Sequence, residues 1–315
     1  CLWVQYWNGK RPSRYYGPQN WEDGKYVVHS KEVFGPDYYT QFLIDFINTS
    51  HEKKQPFLAY FPMNLIHGPM VTPPGDQTEA EANYPDNLGK KERINGQMVH
   101  HMDKLVGRLL AKLDSLDIAD NTLVIFTGDN GTSKSLENRL GDFRLRGGKR
   151  TMNEAGTRVP FIARWPGEIP AGKRDAILSL MDVLPTLASV AGIPVEHEID
   201  GMDLSHNLFD EPGKDREFFE MAFEGGCYFV RDKRFRLHED GRFYDIPVTG
   251  DESRYSMHEI SDLEENTEHQ HRLKKRLTQF MAIKQTDTNY RVIPFGTGGD
   301  EFKNRQDRKK KDPRK

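Results

Sequence analysis

The sequence predicts an α/β fold: a largely parallel sheet sandwiched by helices, then a small C-terminal α+β subdomain of antiparallel strands and one helix. Three observations lead there. Continuous, β-branched apolar runs at 122–127 and 159–163 alternate with stretches of helical periodicity, the pattern of a parallel sheet covered on both faces. Met98, Met102, Leu105, Leu109, Leu113 and Leu116 step by three or four residues, so one covering helix is expected over 93–116. After about Gly213 the chain changes to short strand candidates spaced by turns, as a small antiparallel sheet requires. The expected organisation is a main domain over 1–212, a subdomain over 213–290 and a basic tail over 291–315.

Residues 1–36 mix aromatics (Trp3, Tyr6, Trp7, Tyr15, Tyr16, Trp21, Tyr26) with Gly and Pro and predict a long structured loop rather than a sheet. Tyr38, Phe42, Ile44, Phe46 and Ile47 give 37–49 one apolar helical face. The run 56–62, apolar and bracketed by Pro56 and Pro62, predicts a buried strand. A polar, Gly-rich loop fills 128–157, and a helix is expected around 181–191 with Pro185 in its first turn. Strand candidates at 218–222, 227–230, 235–237 and 243–245 precede a last helix over 262–283. Its acidic start (Asp262, Glu264, Glu265) and basic end (Lys274, Lys275, Arg276) suit the helix dipole.

Composition narrows the function classes. No run approaches eighteen apolar residues, so no membrane-spanning helix is predicted. Two cysteines, Cys1 and Cys227, make no disulfide framework. The net charge is −3, yet 303–315 hold eight Lys or Arg against two Asp, leaving −9 for the rest. Such a like-charge run is a solvated end, and without interleaved aromatics to stack on bases it does not predict nucleic-acid binding. The chain opens on Cys1-Leu2-Trp3 with no basic flank or long apolar stretch, so it is expected to be cut from a longer one.

Three places carry chemistry. Gly128-Asp129-Asn130-Gly131 follows directly on a predicted strand, where open sheets bind ligands. Asp129 and Asn130 offer two hard oxygen donors, which select calcium or magnesium over zinc; alone, such a triplet is more often a turn. Arg146-Gly147-Gly148-Lys149 sets a lysine behind two glycines, where a tight loop carries it to an anion or leaves it solvated. His67, in Asn64-Leu65-Ile66-His67-Gly68-Pro69, lies six residues past Phe61; a lone histidine near a proline turn is ordinarily structural.

In register, these pieces resemble the sulfatase family. Residues 56–69 look like its strand leading to an active-site histidine, 122–131 like its metal-binding strand end, and 147–166 like its Gly-Lys block running into "FIARWPG". "MDVLPTLASVAG" at 181–192 looks like the helix that follows. The resemblance covers about 1–285. It implies an alkaline phosphatase-like fold and a calcium ion held by oxygens beside a formylglycine made from Cys or Ser. Asp129 and Asn130 would ligate the calcium, Lys149 would contact the sulfate and the leaving oxygen, and His67 would donate to that oxygen. It also implies a sulfated small molecule or polysaccharide as partner and a periplasmic, secreted or lysosome-like compartment.

The departures are as specific. The family's Asp-Asp pair and its C-x-P-S-R motif have no counterpart here. In Arg11-Pro12-Ser13-Arg14, Lys10 stands where the nucleophile belongs, and Cys1 is followed by the wrong residues. The chain is therefore expected to be inactive by itself. The alternatives are a non-catalytic binding protein derived from a sulfatase, or a phosphomonoester or phosphonate hydrolase of the same superfold. Oligomeric state is left open.

Overall fold

The computed structural model describes residues 2–3, 13–75, 89–140, 143–223, 227–246, 257–260 and 267–286. Cys1, Lys10 and the basic tail lie outside them. The chain forms two compact units, Cys1–Val124 with Arg164–Glu168, and Ile125–Ala163 with Ile169–Lys315.

In the first unit, β1 (Leu2–Trp3), β2 (Gln19–Glu22) and β3 (Lys25–Val28) form an antiparallel sheet in that order. The expectation of a loop without a sheet over 1–36 is thereby corrected. The cause is Asp23-Gly24, whose φ values of 45° and 80° are both positive, as a two-residue hairpin with the strand twist needs. Trp21 then faces Tyr26 across the hairpin with ring centroids 5.6 Å apart.

Helix α1 (Gly35–Glu52) carries Pro36 in its first turn, where its missing N–H costs no hydrogen bond, and buries Tyr39, Ile44 and Ile47. Helix α2 (Lys90–Ser115) buries Met98, Leu105 and Leu113 of its predicted stripe. Tyr15, Phe34, Leu65, Met98 and Leu105 form the core of this unit, with Met63, Ile66 and Met70 packed against it. The buried strand expected at 56–62 is absent: Leu58 is 78 % and Tyr60 89 % exposed. Its composition suits a sheet, but a strand exists only where a neighbour takes its N–H and C=O groups, and no described strand pairs with it.

In the second unit, strand β4 (Val124–Thr127) opens the loop region, the hairpin β5 (Glu137–Leu140)–β6 (Phe143–Arg146) and the short helix α3 (Glu154–Thr157) fill it, and β7 (Phe161–Arg164) closes it. Val124 and Arg164, the outer ends of β4 and β7, belong to the first unit. Strands β4 and β7 are hydrogen-bonded neighbours and make up the described part of the main sheet. A 3₁₀ turn at Leu180–Asp182 leads into α4 (Val183–Val190), with Pro185 in the first turn as predicted; α5 (Ser205–Phe209) follows. Buried Asp182 accepts from the amides of Ser179 and Met202, both at 2.8 Å, and from Arg216.

Strands β8 (Phe219–Phe223), β9 (Cys227–Arg231), β10 (Phe235–His238), β11 (Phe243–Asp245) and β12 (His258–Glu259) form a five-stranded antiparallel sheet, one strand more than predicted. The sheet begins within the region set off after 212, while the compact units divide elsewhere. Strand alternation sends Val230, Phe235, Leu237 and Phe243 to one face, where Leu273 and Leu277 of α6 (Thr267–Thr286) cover them. Phe229, Arg231, Arg236 and His238 point to the other. Among the described residues no helix is long and apolar enough to cross a membrane.

Candidate functional site

The carboxyl end of β4 delivers Gly128-Asp129-Asn130-Gly131, and four hydrogen bonds, three of them backbone to backbone, tie this region to its partner. Thr127 Oγ1 donates to Pro160 O at 2.9 Å, Gly131 N–H to Gly156 O at 3.1 Å, Lys149 N–H to Thr132 O at 2.8 Å, and Gly147 N–H to Leu136 O at 2.9 Å. Two glycines are there for close approach. A Cβ on Gly131 would lie 1.9 Å from Ala155 O, and one on Gly148 2.4 Å from Asn153 Oδ1 and 2.7 Å from Gly156 N. The Thr151 hydroxyl closes the lysine loop on Gly148 O at 2.6 Å.

The side chains this loop cluster presents are a carboxylate, an amide and an ammonium. Asp129 is exposed. The Asn130 Oδ1 is buried and has no hydrogen-bond partner, an unmet acceptor of the sort a cation satisfies. Lys149 is half-buried, and its own backbone is held while no described acidic side chain pairs with its ammonium. Among the described residues no three His, Cys, Asp or Glu cluster as a metal cage.

His67 lies in the first unit, exposed on a loop whose backbone is strapped from the side of 14–16. The Tyr15 hydroxyl donates to the carbonyls of Asn64, at 3.0 Å, and His67, and Asn64 Nδ2 donates to Arg14 O at 2.9 Å. Burial pushes the Tyr15 hydroxyl up to about 12, with the Arg14 charge opposing, so it stays a donor. His67 Nδ1 lies 2.7 Å from Gly68 O and 3.3 Å from Arg14 Nη1. The carbonyl needs a proton on Nδ1 and the guanidinium needs a lone pair there; the shorter contact favours Nδ1–H to Gly68. Nε2 is then the nitrogen left for chemistry, and it can donate only from the imidazolium.

The structure thus brings Asp129, Asn130 and Lys149 together in the second unit and sets His67 in the first. Sequence reasoning missed Arg14 and Tyr15, which sit in and beside the string set aside as a false motif. It also missed Glu154, a fully buried acid next to the lysine loop. The signal for Glu154 was an acidic residue opening a Gly-containing turn, too common to single out.

Comparisons with known proteins bear on the family and the fold. The profile of the Sulfatase family matches residues 5–193, and that of the C-terminal region of N-sulphoglucosamine sulphohydrolase matches 141–283. The chain is 37 % identical to mouse N-acetylgalactosamine-6-sulfatase over 187 residues, which is 58 % of this chain and 34 % of that protein. It is 32 % identical to human arylsulfatase A over 207 residues, 64 % of this chain and 39 % of the other. The match therefore spans little more than a third of the length of these relatives. The solved structure of Ps i-CgsB in complex with k-i-k-neocarrahexaose superposes with a TM-score of 0.69 at 25 % identity, covering 90 % of this chain and 62 % of that one.

Proposed function

This chain belongs to the sulfatase family of hydrolases, and from that premise we propose that the natural protein cleaves sulfuric esters, releasing sulfate from a sulfated sugar or an aryl ester. The observation that carries the proposal is the backbone-knitted pair of loops that bears the buried Asn130 amide oxygen, without a hydrogen-bond partner, together with Asp129 and Lys149.

Calcium fits the donors present. Asp129 and the orphaned Asn130 oxygen are hard ligands, and since calcium takes roughly six to eight oxygens they would be two of a larger set. Bound there, calcium supplies fixed positive charge to the sulfate oxygens. Lys149 neutralises charge on the same anion and on the departing oxygen, in the manner of a preorganised cationic donor. His67, with Nδ1–H engaged on Gly68, keeps Nε2 for the role that the resemblance gives it, proton donor to a leaving oxygen. No residue of this sequence stands in the C-x-P-S-R context in which a formylglycine is made, so no step here is derived through one. An exported or lysosome-like compartment goes with this assignment, by resemblance alone.

The test is turnover of 4-methylumbelliferyl sulfate by the natural full-length protein, against the matching phosphate ester. The expected result is sulfatase activity that falls in Asp129→Asn and in Lys149→Ala. Undiminished turnover in both variants, or preference for the phosphate, overturns the assignment.

A further inference from the structure

We propose that Glu154 is a positioning residue: gripped by Arg231 and Arg236, it holds the Ala155-Gly156 backbone as the plate on which the Asn130 and Lys149 loops rest. The proposal builds on the roles given to Asn130 and Lys149 above.

Arg231 and Arg236 are Cα partners in the β9–β10 register. Like charges directly opposite one another across an antiparallel pair repel, and Arg236 is 1 % exposed, so water does not screen the pair. The fully buried Glu154 carboxylate answers both. Arg231 Nη1 donates to Oε1 at 2.9 Å and to Oε2 at 2.8 Å, Arg236 Nη2 donates to Oε1, and Arg158 Nη1 reaches Oε2 at 3.3 Å. Burial holds the Arg236 guanidinium down to about 10, with the Glu154 charge opposing.

Arg236 also spans the turn that carries Glu154. Its Nη1 donates to the Met152 carbonyl, and its Nη2 to the Thr157 hydroxyl at 3.3 Å. Both ends of 152–157 are thus held from the second face of the five-stranded sheet. On the outer side of that turn, Gly156 O receives the Gly131 amide, while Ala155 O and Gly156 N fill the space where Gly131 and Gly148 lack a Cβ. A shift of the turn moves both loops together. The sheet's own apolar core lies on its opposite face under α6, away from the carboxylate.

The test is hydrogen–deuterium exchange on the natural full-length protein, with calcium titration, for Glu154→Gln and Arg231→Gln. The amides of Gly131 and Lys149 are expected to exchange about tenfold or more faster in Glu154→Gln, as local opening does, with calcium binding weakened in parallel. Amides of β8, β11 and α6, which do not carry the opposed arginines, are expected to keep their rates. If Glu154→Gln does not fold, Arg231→Gln carries the same comparison, because it leaves Arg236 on the carboxylate. Unchanged exchange at Gly131 and Lys149 overturns the proposal, and so does equal acceleration throughout the five-stranded sheet. A wild-type protein with no sulfatase turnover overturns the proposed function and leaves the exchange result standing.

Discussion

The amide of Lys149 donates to the carbonyl of Thr132 at 2.8 Å, so the loop carrying the ammonium is fastened directly to the loop carrying Asp129 and Asn130. A metal-side donor set and an anion-side cation, twenty residues apart in the chain at Asp129 and Lys149, share one backbone frame. That frame makes the two loops move together.

Asp129→Ala is expected to abolish tight calcium binding and activity, and Asn130→Ala to weaken both. Removing the carboxylate takes away charge as well as an oxygen; removing the amide takes away only a neutral donor. Calorimetric titration of both variants decides it, and wild-type affinity in Asp129→Ala would remove that residue from the site.

Gly131→Ala is expected to cost about 1–3 kcal/mol, the usual range for forcing extra atoms into a filled space, because its Cβ would meet Ala155 O at 1.9 Å. Gly128→Ala is the control: its nearest neighbour would be Val159 at 3.4 Å, an ordinary contact. Urea unfolding of the two variants should separate them; equal stabilities would mean that the loop pair yields without cost.

Lys149→Ala is expected to lower turnover by about 10²–10³, as loss of one preorganised donor does. Loss of His67 is expected to cost about 10²–10⁴, the worth of a general acid. The His67 deficit should shrink for esters of acidic phenols, whose leaving oxygen needs little protonation. A deficit that stays constant across leaving groups of different basicity takes His67 out of the acid role.

His238 makes stability depend on pH. It is buried between Phe229 and Tyr244, both ring nitrogens lack partners, and burial together with Arg236 and Arg242 lowers it to about 4, Asp240 opposing. The unfolded chain, with histidine near ~6.5, therefore binds more protons than the fold between about pH 4 and 6.5. The stabilisation is complete above that window and is lost as pH falls through it. His238→Phe keeps the ring contacts and removes the titration, so its melting temperature should drop less between pH 7 and 4.5 than that of the wild type. Equal drops would sink the assignment.

No Cys or Ser of the 315 residues is followed two positions later by Pro, so none occupies the context in which the family's nucleophile is made. Residues 1–315 produced alone are expected to leave 4-methylumbelliferyl sulfate intact. Turnover that disappears when Cys1 or Lys10 is replaced would locate a nucleophile within this chain.

By itself the sequence determined the elements whose side chains repeat: the stripe from Met98 through Leu113 on α2, the apolar run of β4, and the alternation of Val230 with Phe229 and Arg231 across β9. It also put the hard donors Asp129 and Asn130 directly after the end of that strand. Periodicity can do this because it reports which face of a single element a residue presents. Tertiary structure alone decided that 56–62 forms no strand, that Arg14 stands beside His67 across 53 positions, and that Arg231 reaches Glu154 across 77. Each of these depends on a partner brought up by chain closure, and a contact between distant segments leaves no periodic trace in either one.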